Sequence, residues 1–115
     1  MPEDSLITVT DDNFQDLVLS SRLPIVVDFW AEWCPPCRPM AKTLSELATE
    51  YPDQILFAKI NADENPEATR KYRIMSMPTL LLFKQGQVVK SIVGARPKSH
   101  LRDALTGATS PYANR

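Results

Sequence analysis

The chain has 115 residues, enough for one domain around one core. Hydrophobic residues make up 43% and charged ones 23%, the balance of an ordinary globular protein and not of a disordered one. A formal net charge of −1 gives no field to hold nucleic acid or an anionic membrane, and no run approaches the roughly 20 apolar residues of a membrane span.

Residues 1–5 read as a short extension. Their acidic start, Met1-Pro2-Glu3-Asp4-Ser5, lacks the apolar stretch of a secretory leader, so a cytosolic protein is expected, in a compartment where thiols stay reduced. Leu6 to Val9 has the character of a short strand. Thr10-Asp11-Asp12-Asn13 then offers N-cap residues for a helix with Phe14, Leu17 and Val18 on its apolar side. Pro24 opens Ile25-Val26-Val27-Asp28-Phe29-Trp30, β-branched and apolar on both faces, as in a central strand covered on both sides.

Directly after that strand stands Trp33-Cys34-Pro35-Pro36-Cys37, with the only two cysteines of the chain. A Cys-x-x-Cys beside a βα pattern reads first as a dithiol/disulfide redox centre. The competing reading is a structural or zinc-binding pair, but structural zinc normally takes four Cys or His ligands and this chain has only His100 to add. No metal is therefore expected. Arg38, not His, follows Cys37, so covalent haem attachment is not indicated either.

Met40, Leu44, Leu47, Ala48 and Tyr51 recur at helical spacing until Pro52-Asp53. Ile55 to Ile60 is a second buried strand, interrupted by Lys59. Asn65-Pro66-Glu67 starts a short helix, a cap followed by proline at the first helical position. Thr79 to Phe83 and Val88 to Val93 flank Lys84-Gln85-Gly86-Gln87 as a hairpin. Ser99 to Leu105 is a last helix, and residues 107–115 read as a frayed tail. The order β-α-β-α-β-α-β-β-α gives an α/β protein with a sheet part parallel and part antiparallel, and helices on both faces.

From Leu6 to Thr106 this pattern resembles the thioredoxin family. The residues that carry the resemblance are Asp28 to Cys34, Pro36-Cys37, Lys59 with Asn61 and Asp63, Met77-Pro78-Thr79, Gly86 and Val93-Gly94-Ala95. The resemblance implies one thioredoxin domain over residues 6–106, a central mixed five-stranded sheet flanked by four helices. It implies a protein-disulfide reductase that takes electrons from a thioredoxin reductase, passes them to disulfides of client proteins, works as a monomer and needs no cofactor beyond its own cysteines.

Cys34 is then the attacking thiol at a helix N-terminus, where unpaired N–H groups and the macrodipole favour the thiolate. Cys37, one turn in and less exposed, resolves the mixed disulfide. Asp28, a carboxylate in an apolar strand, is expected to have a raised pKa and to take the Cys37 proton, with Lys59 as its partner. The bland alternative has both charges facing solvent at strand ends. Pro78 is implied to be cis and to turn the Met77 backbone towards an extended client segment, with Trp33, Met77, Gly94 and Ala95 around it. An ordinary trans proline at a strand start is the alternative. Trp30 reads as core packing.

Three positions depart from the family pattern: Pro35, Pro39 and Lys42. Pro35 stands where a glycine is usual and removes a backbone donor; Pro36 keeps the usual proline, so the loop is Pro-Pro. Pro39 follows, while the family's usual kinking position is Lys42. With Pro36 as the first helical residue, Pro39 would be the fourth, and a kink near Pro39 or a straighter helix beyond it is expected. These changes keep two other functions in view: a specialised oxidant, isomerase or dedicated electron donor, and a binding module without redox turnover.

Overall fold

The computed structural model describes residues 5–109. Five strands, β1 (Ile7–Val9), β2 (Ile25–Trp30), β3 (Leu56–Asn61), β4 (Thr79–Lys84) and β5 (Gln87–Val93), form one sheet in the order β1-β3-β2-β4-β5. The β1–β3 and β3–β2 pairings are parallel; β2–β4 and β4–β5 are antiparallel. The apolar run after Pro24 is thus the central strand, with every residue from Ile25 to Phe29 buried.

Three α-helices, α1 (Cys37–Glu50), α2 (Pro66–Lys71) and α3 (Lys98–Thr109), and a π-type turn (Gln15–Leu19) cover the sheet. Strand alternation divides the core in two. Val26, Phe57, Leu80 and Leu82 point to one face and meet Met40, Leu44 and Leu47 of α1 and Leu101 and Leu105 of α3. Ile25, Val27, Phe29, Ile60 and Phe83 point to the other and meet Phe14, Val18 and Ala68. There Phe14, Tyr72 and Phe83 form a ring cluster with centroids 5.2–5.7 Å apart.

Four expectations change in detail. The first helix is a single wide turn closed by Ser20 N–H donating to the Gln15 carbonyl, five residues back; Phe14 and Val18 are buried, but Leu17 is exposed. Ile55 is buried but precedes its strand, which runs from Leu56 to Asn61. The last helix starts at Lys98 and continues through Gly107 to Thr109, where a frayed tail was expected from 107, because Ala104 and Ala108 extend the apolar stripe of Leu101 and Leu105. Asn65 does cap α2 by position, but without a side-chain bond to that helix. Its Oδ1 accepts from Asp11 N–H at 2.8 Å, and Asp11 supplies the cap, taking the N–H groups of Glu67 and Ala68 at 3.0 and 2.9 Å. The expected extension at 1–4 and tail at 110–115 lie outside the described residues.

The hairpin expectation holds. Gln85 and Gly86 both have positive φ, 54° and 78°, the type I′ combination that matches strand twist. A Cβ on Gly86 would lie 3.2 Å from the Leu19 carbonyl oxygen, so glycine is needed for space as well as for conformation.

Candidate active site

The central strand β2 ends at Trp30, and the chain turns through Ala31 to Pro36 into α1. Cys34 N–H donates to the Ala31 carbonyl at 3.2 Å and Cys37 N–H to the Cys34 carbonyl at 3.1 Å, so the loop is two consecutive tight turns. They bring the cysteine Cα atoms to 5.4 Å, and the two sulfurs are joined as a disulfide. The pair packs with Ala31 under Trp30 and Met77.

Both cysteines are 3% exposed, so the expectation that Cys37 is the less exposed of the two does not hold for the disulfide form. The two tight turns tuck both side chains under the same small apolar cluster. The helix start also differs. Pro36 is the N-cap and Cys37 the first helical residue, which puts Pro39 third. A third-position N–H has no partner within a helix, so Pro39 interrupts no hydrogen bond, and α1 runs on for 14 residues. Prolines instead thin the donors at the helix mouth. Pro35, Pro36 and Pro39 have no N–H and that of Cys37 is engaged, which leaves the backbone N–H of Arg38 in the first turn.

Asp28 is 1% exposed and neither carboxylate oxygen has a hydrogen-bond partner among the described residues. The solvent-facing alternative fails because Asp28 shares strand parity with Val26, pointing under α1. Burial pushes its pKa up to about 7, against a smaller lowering by Lys59. Lys59 stands directly opposite Asp28 in the β2–β3 register. Asp28, Lys59, Cys37 and Arg38 line one recess of about 130 Å³, closed on other sides by Trp30 and Ala41, with Glu32 at its rim. It has room for several water molecules beside the Asp28 carboxylate and Cys37.

On the outer side, the Met77–Pro78 bond is cis, and the Pro78 carbonyl accepts from Gly94 N–H at 2.8 Å. Gly94 has φ +89°, and a Cβ there would come within 3.1 Å of the Arg96 guanidinium. Trp33 is 64% exposed, Ala95 is exposed, and Met77 and Gly94 are half-buried. Met77 packs on the cysteine cluster, Pro78 is buried, and the hydrogen bond from Gly94 joins the loop of Gly94 and Ala95 to that of Met77 and Pro78. Pro35 and Pro36 are exposed beside it. One contact escaped sequence reading: Trp33 Nε1–H donates to Asp63 Oδ2 at 2.8 Å, and Asp63 is held by its N–H on Asn61 Oδ1 at 3.0 Å. Asn61 and Asp63 stood among the family-like residues, and that was the only signal for it.

The Thioredoxin family model matches residues 5–107. The chain belongs to the thioredoxin family. It is 54% identical over 93 residues to a thioredoxin of Streptomyces clavuligerus, covering 81% of this chain and 86% of that one. It is 50% identical over 97 residues to thioredoxin 1 of Synechococcus elongatus, covering 84% and 91%. A thioredoxin of Alicyclobacillus acidocaldarius is 50% identical over 98 residues, covering 85% and 92%. With its cysteine pair in disulfide contact, this thioredoxin-family chain is a protein-disulfide reductase, working by thiol–disulfide exchange on its own cysteines without a separate cofactor. Among the described residues no group of three His, Cys, Asp or Glu side chains could hold a metal, and no helix is long and apolar enough to cross a membrane.

Proposed function

We propose that Cys34 attacks, Cys37 resolves and Asp28 moves the proton. The Cys34 thiolate attacks one sulfur of a client disulfide, forming a Cys34–client bond and releasing one client thiolate. Cys37 passes its proton to the Asp28 carboxylate and attacks Cys34. The Cys34–Cys37 disulfide forms, the second client thiolate leaves, and two electrons have moved to the client. The observation that carries this reading is the recess shared by Asp28 and Cys37. A carboxyl with a pKa of about 7 is poised both to accept and to return a proton near neutral pH.

Trp33, Met77, Pro78, Gly94 and Ala95 form the apolar rim for an extended client segment, with Lys59 tuning Asp28 and the Pro35-Pro36 loop setting the poise. The working form is a cytosolic monomer recharged by a thioredoxin reductase, with residues 6–106 as the functional domain. Loss of backbone donors to proline acts in one direction, apart from any stiffening of the loop. Fewer N–H groups to stabilise the thiolate disfavour the reduced protein, and a protein less stable when reduced is the stronger reductant. This favours a reductase over an oxidant or isomerase.

Two experiments test it. In Asp28→Asn, insulin reduction with dithiothreitol should lose the rise through about pH 7, and the mixed disulfide should accumulate. Unchanged turnover across pH 6–9 removes Asp28 from the mechanism. Equilibration of the pair in defined thiol buffers should give a potential at or below the roughly −270 mV of thioredoxin; a value near −120 to −180 mV transfers the protein to the oxidants and isomerases.

A further inference from the structure

Beside the disulfide face lies an open groove of about 550 Å³, lined by Asp63, Arg70, Arg73, Ile74 and Met75 among others. Three observations single it out. Met75 is 90% exposed, the most exposed large apolar side chain among the described residues. Arg70 and Arg73 are both exposed and, like most cations among the described residues, make no ion pair there, so both guanidinium groups are available to a ligand in the one groove. Arg73 holds φ +54°, a left-handed conformation uncommon for a residue with a side chain, and its N–H donates to the Arg70 carbonyl at 3.1 Å.

The groove is tied to the reactive face through Asp63 and through the chain that runs from Met75 to Met77. Asp63, on its wall, accepts the indole N–H of Trp33, the residue before Cys34. Met75 lies two residues before Met77. The one carboxylate in the wall is thus engaged by Trp33, while two guanidinium groups and a thioether are left towards solvent.

We propose that this groove is a specificity subsite for client proteins whose exchanged disulfide is flanked by an acidic segment carrying an apolar side chain. The proposal rests on the reading that clients dock beside Trp33 and Met77. Carboxylates pair with Arg70 and Arg73, in the fork geometry that arginine offers. An apolar side chain covers Met75, whose flexible thioether adapts to varied shapes. A protein segment fits better than nucleic acid, because two arginines on a chain of net charge −1 do not make a phosphate-tracking stripe.

The test uses three short peptides with the same disulfide, flanked by Asp-Asp-Leu, Ser-Ser-Leu or Lys-Lys-Leu on each side in turn. Reduction is driven by dithiothreitol and read as kcat/KM. On one side, the acidic peptide should be preferred over the serine peptide by about fivefold at low salt, the scale of two exposed ion pairs, and the preference should vanish at high salt. Arg70→Gln with Arg73→Gln should bring the ratio to about one; glutamine suits the left-handed position, since Gln85 holds the same φ of 54°. Lys84→Gln, at the far end of the sheet, should leave the ratio intact. Equal wild-type rates, a ratio unmoved by the arginine changes, or one lowered as much by Lys84→Gln overturns the proposal. A dimer in sedimentation that the arginine changes dissociate gives the groove to a second copy and also overturns it. Failure to reduce the serine peptide at all overturns the underlying reading of the client face as well.

Discussion

The two faces of the sheet are built from the same strands to opposite ends. The face under α2 and the π-type turn buries no charged group among the described residues and is closed by the packed rings of Phe14, Tyr72 and Phe83. The face under α1 and α3 has a comparable apolar cluster, but at its reactive end it also buries Asp28, with no hydrogen bond among the described residues, beside Lys59. One face holds the fold. The other gives up part of its stability to keep a titratable carboxyl near a thiol, as reactive sites generally do.

The sharpest way to break this contrast is Phe83→Ala. It removes two of the three ring contacts from a fully buried site and should cost about 3–5 kcal/mol in denaturant unfolding. The potential of the folded cysteine pair should not move. A shifted potential would mean that the two faces are coupled.

Next comes Asp28. Its carboxyl titrates near 3.8 when unfolded and at about 7 when folded. Between those values the native state holds a proton that the unfolded state has lost. Stability is therefore fully present below about pH 3.8 and falls as pH rises to about 7, by roughly 4 kcal/mol at most. Asp28→Asn should flatten that slope and leave the oxidised protein more stable than wild type at pH 8. Urea unfolding at pH 4.5, 6 and 8 measures it, and parallel slopes would remove the stability cost assigned to this face.

Asp11→Ala tests the quiet face again. It leaves two N–H groups at the start of α2 uncapped and should cost about 1–2 kcal/mol, with early loss of amide-exchange protection in α2. The smallest effect belongs to the exposed network in which Lys98 bridges Glu46 and Glu50 and Arg102 joins Glu50, tying α3 to α1. Glu50 has its pKa lowered chiefly by the Lys98 hydrogen bond, then by that of Arg102. Lys98→Ala should lower the melting temperature slightly at low salt and not at 1 M, where screening reaches within a few ångströms.

What the sequence made legible was whatever one strand or helix decides alone. Ile25 to Trp30 could only be a covered strand, and Asp28 and Lys59 stood out because charge in such runs is costly. The cysteine spacing announced its chemistry, and the glycine at 86 its turn. What stayed hidden needed two distant segments. No local rule joins Asp11 to the N-terminus of α2 or Trp33 to Asp63. The equal burial of the two cysteines depends on how the loop from Ala31 to Pro36 folds back, and the place of Pro39 depends on a one-residue shift in where the helix begins. That shift moves Pro39 from the fourth helical position to the third, where it displaces no hydrogen bond.

Both tryptophans of the chain fall within four residues of each other at the disulfide, Trp30 packed on the cysteine cluster and Trp33 in solvent with its N–H on Asp63. Disulfides quench nearby indole emission by electron transfer, and this protein holds no third indole to dilute the effect. Its intrinsic fluorescence is therefore a label-free gauge of oxidation state, with a shielded and a wet fluorophore whose emission maxima should separate. Each turnover should be visible as a flash of light recovered and then lost.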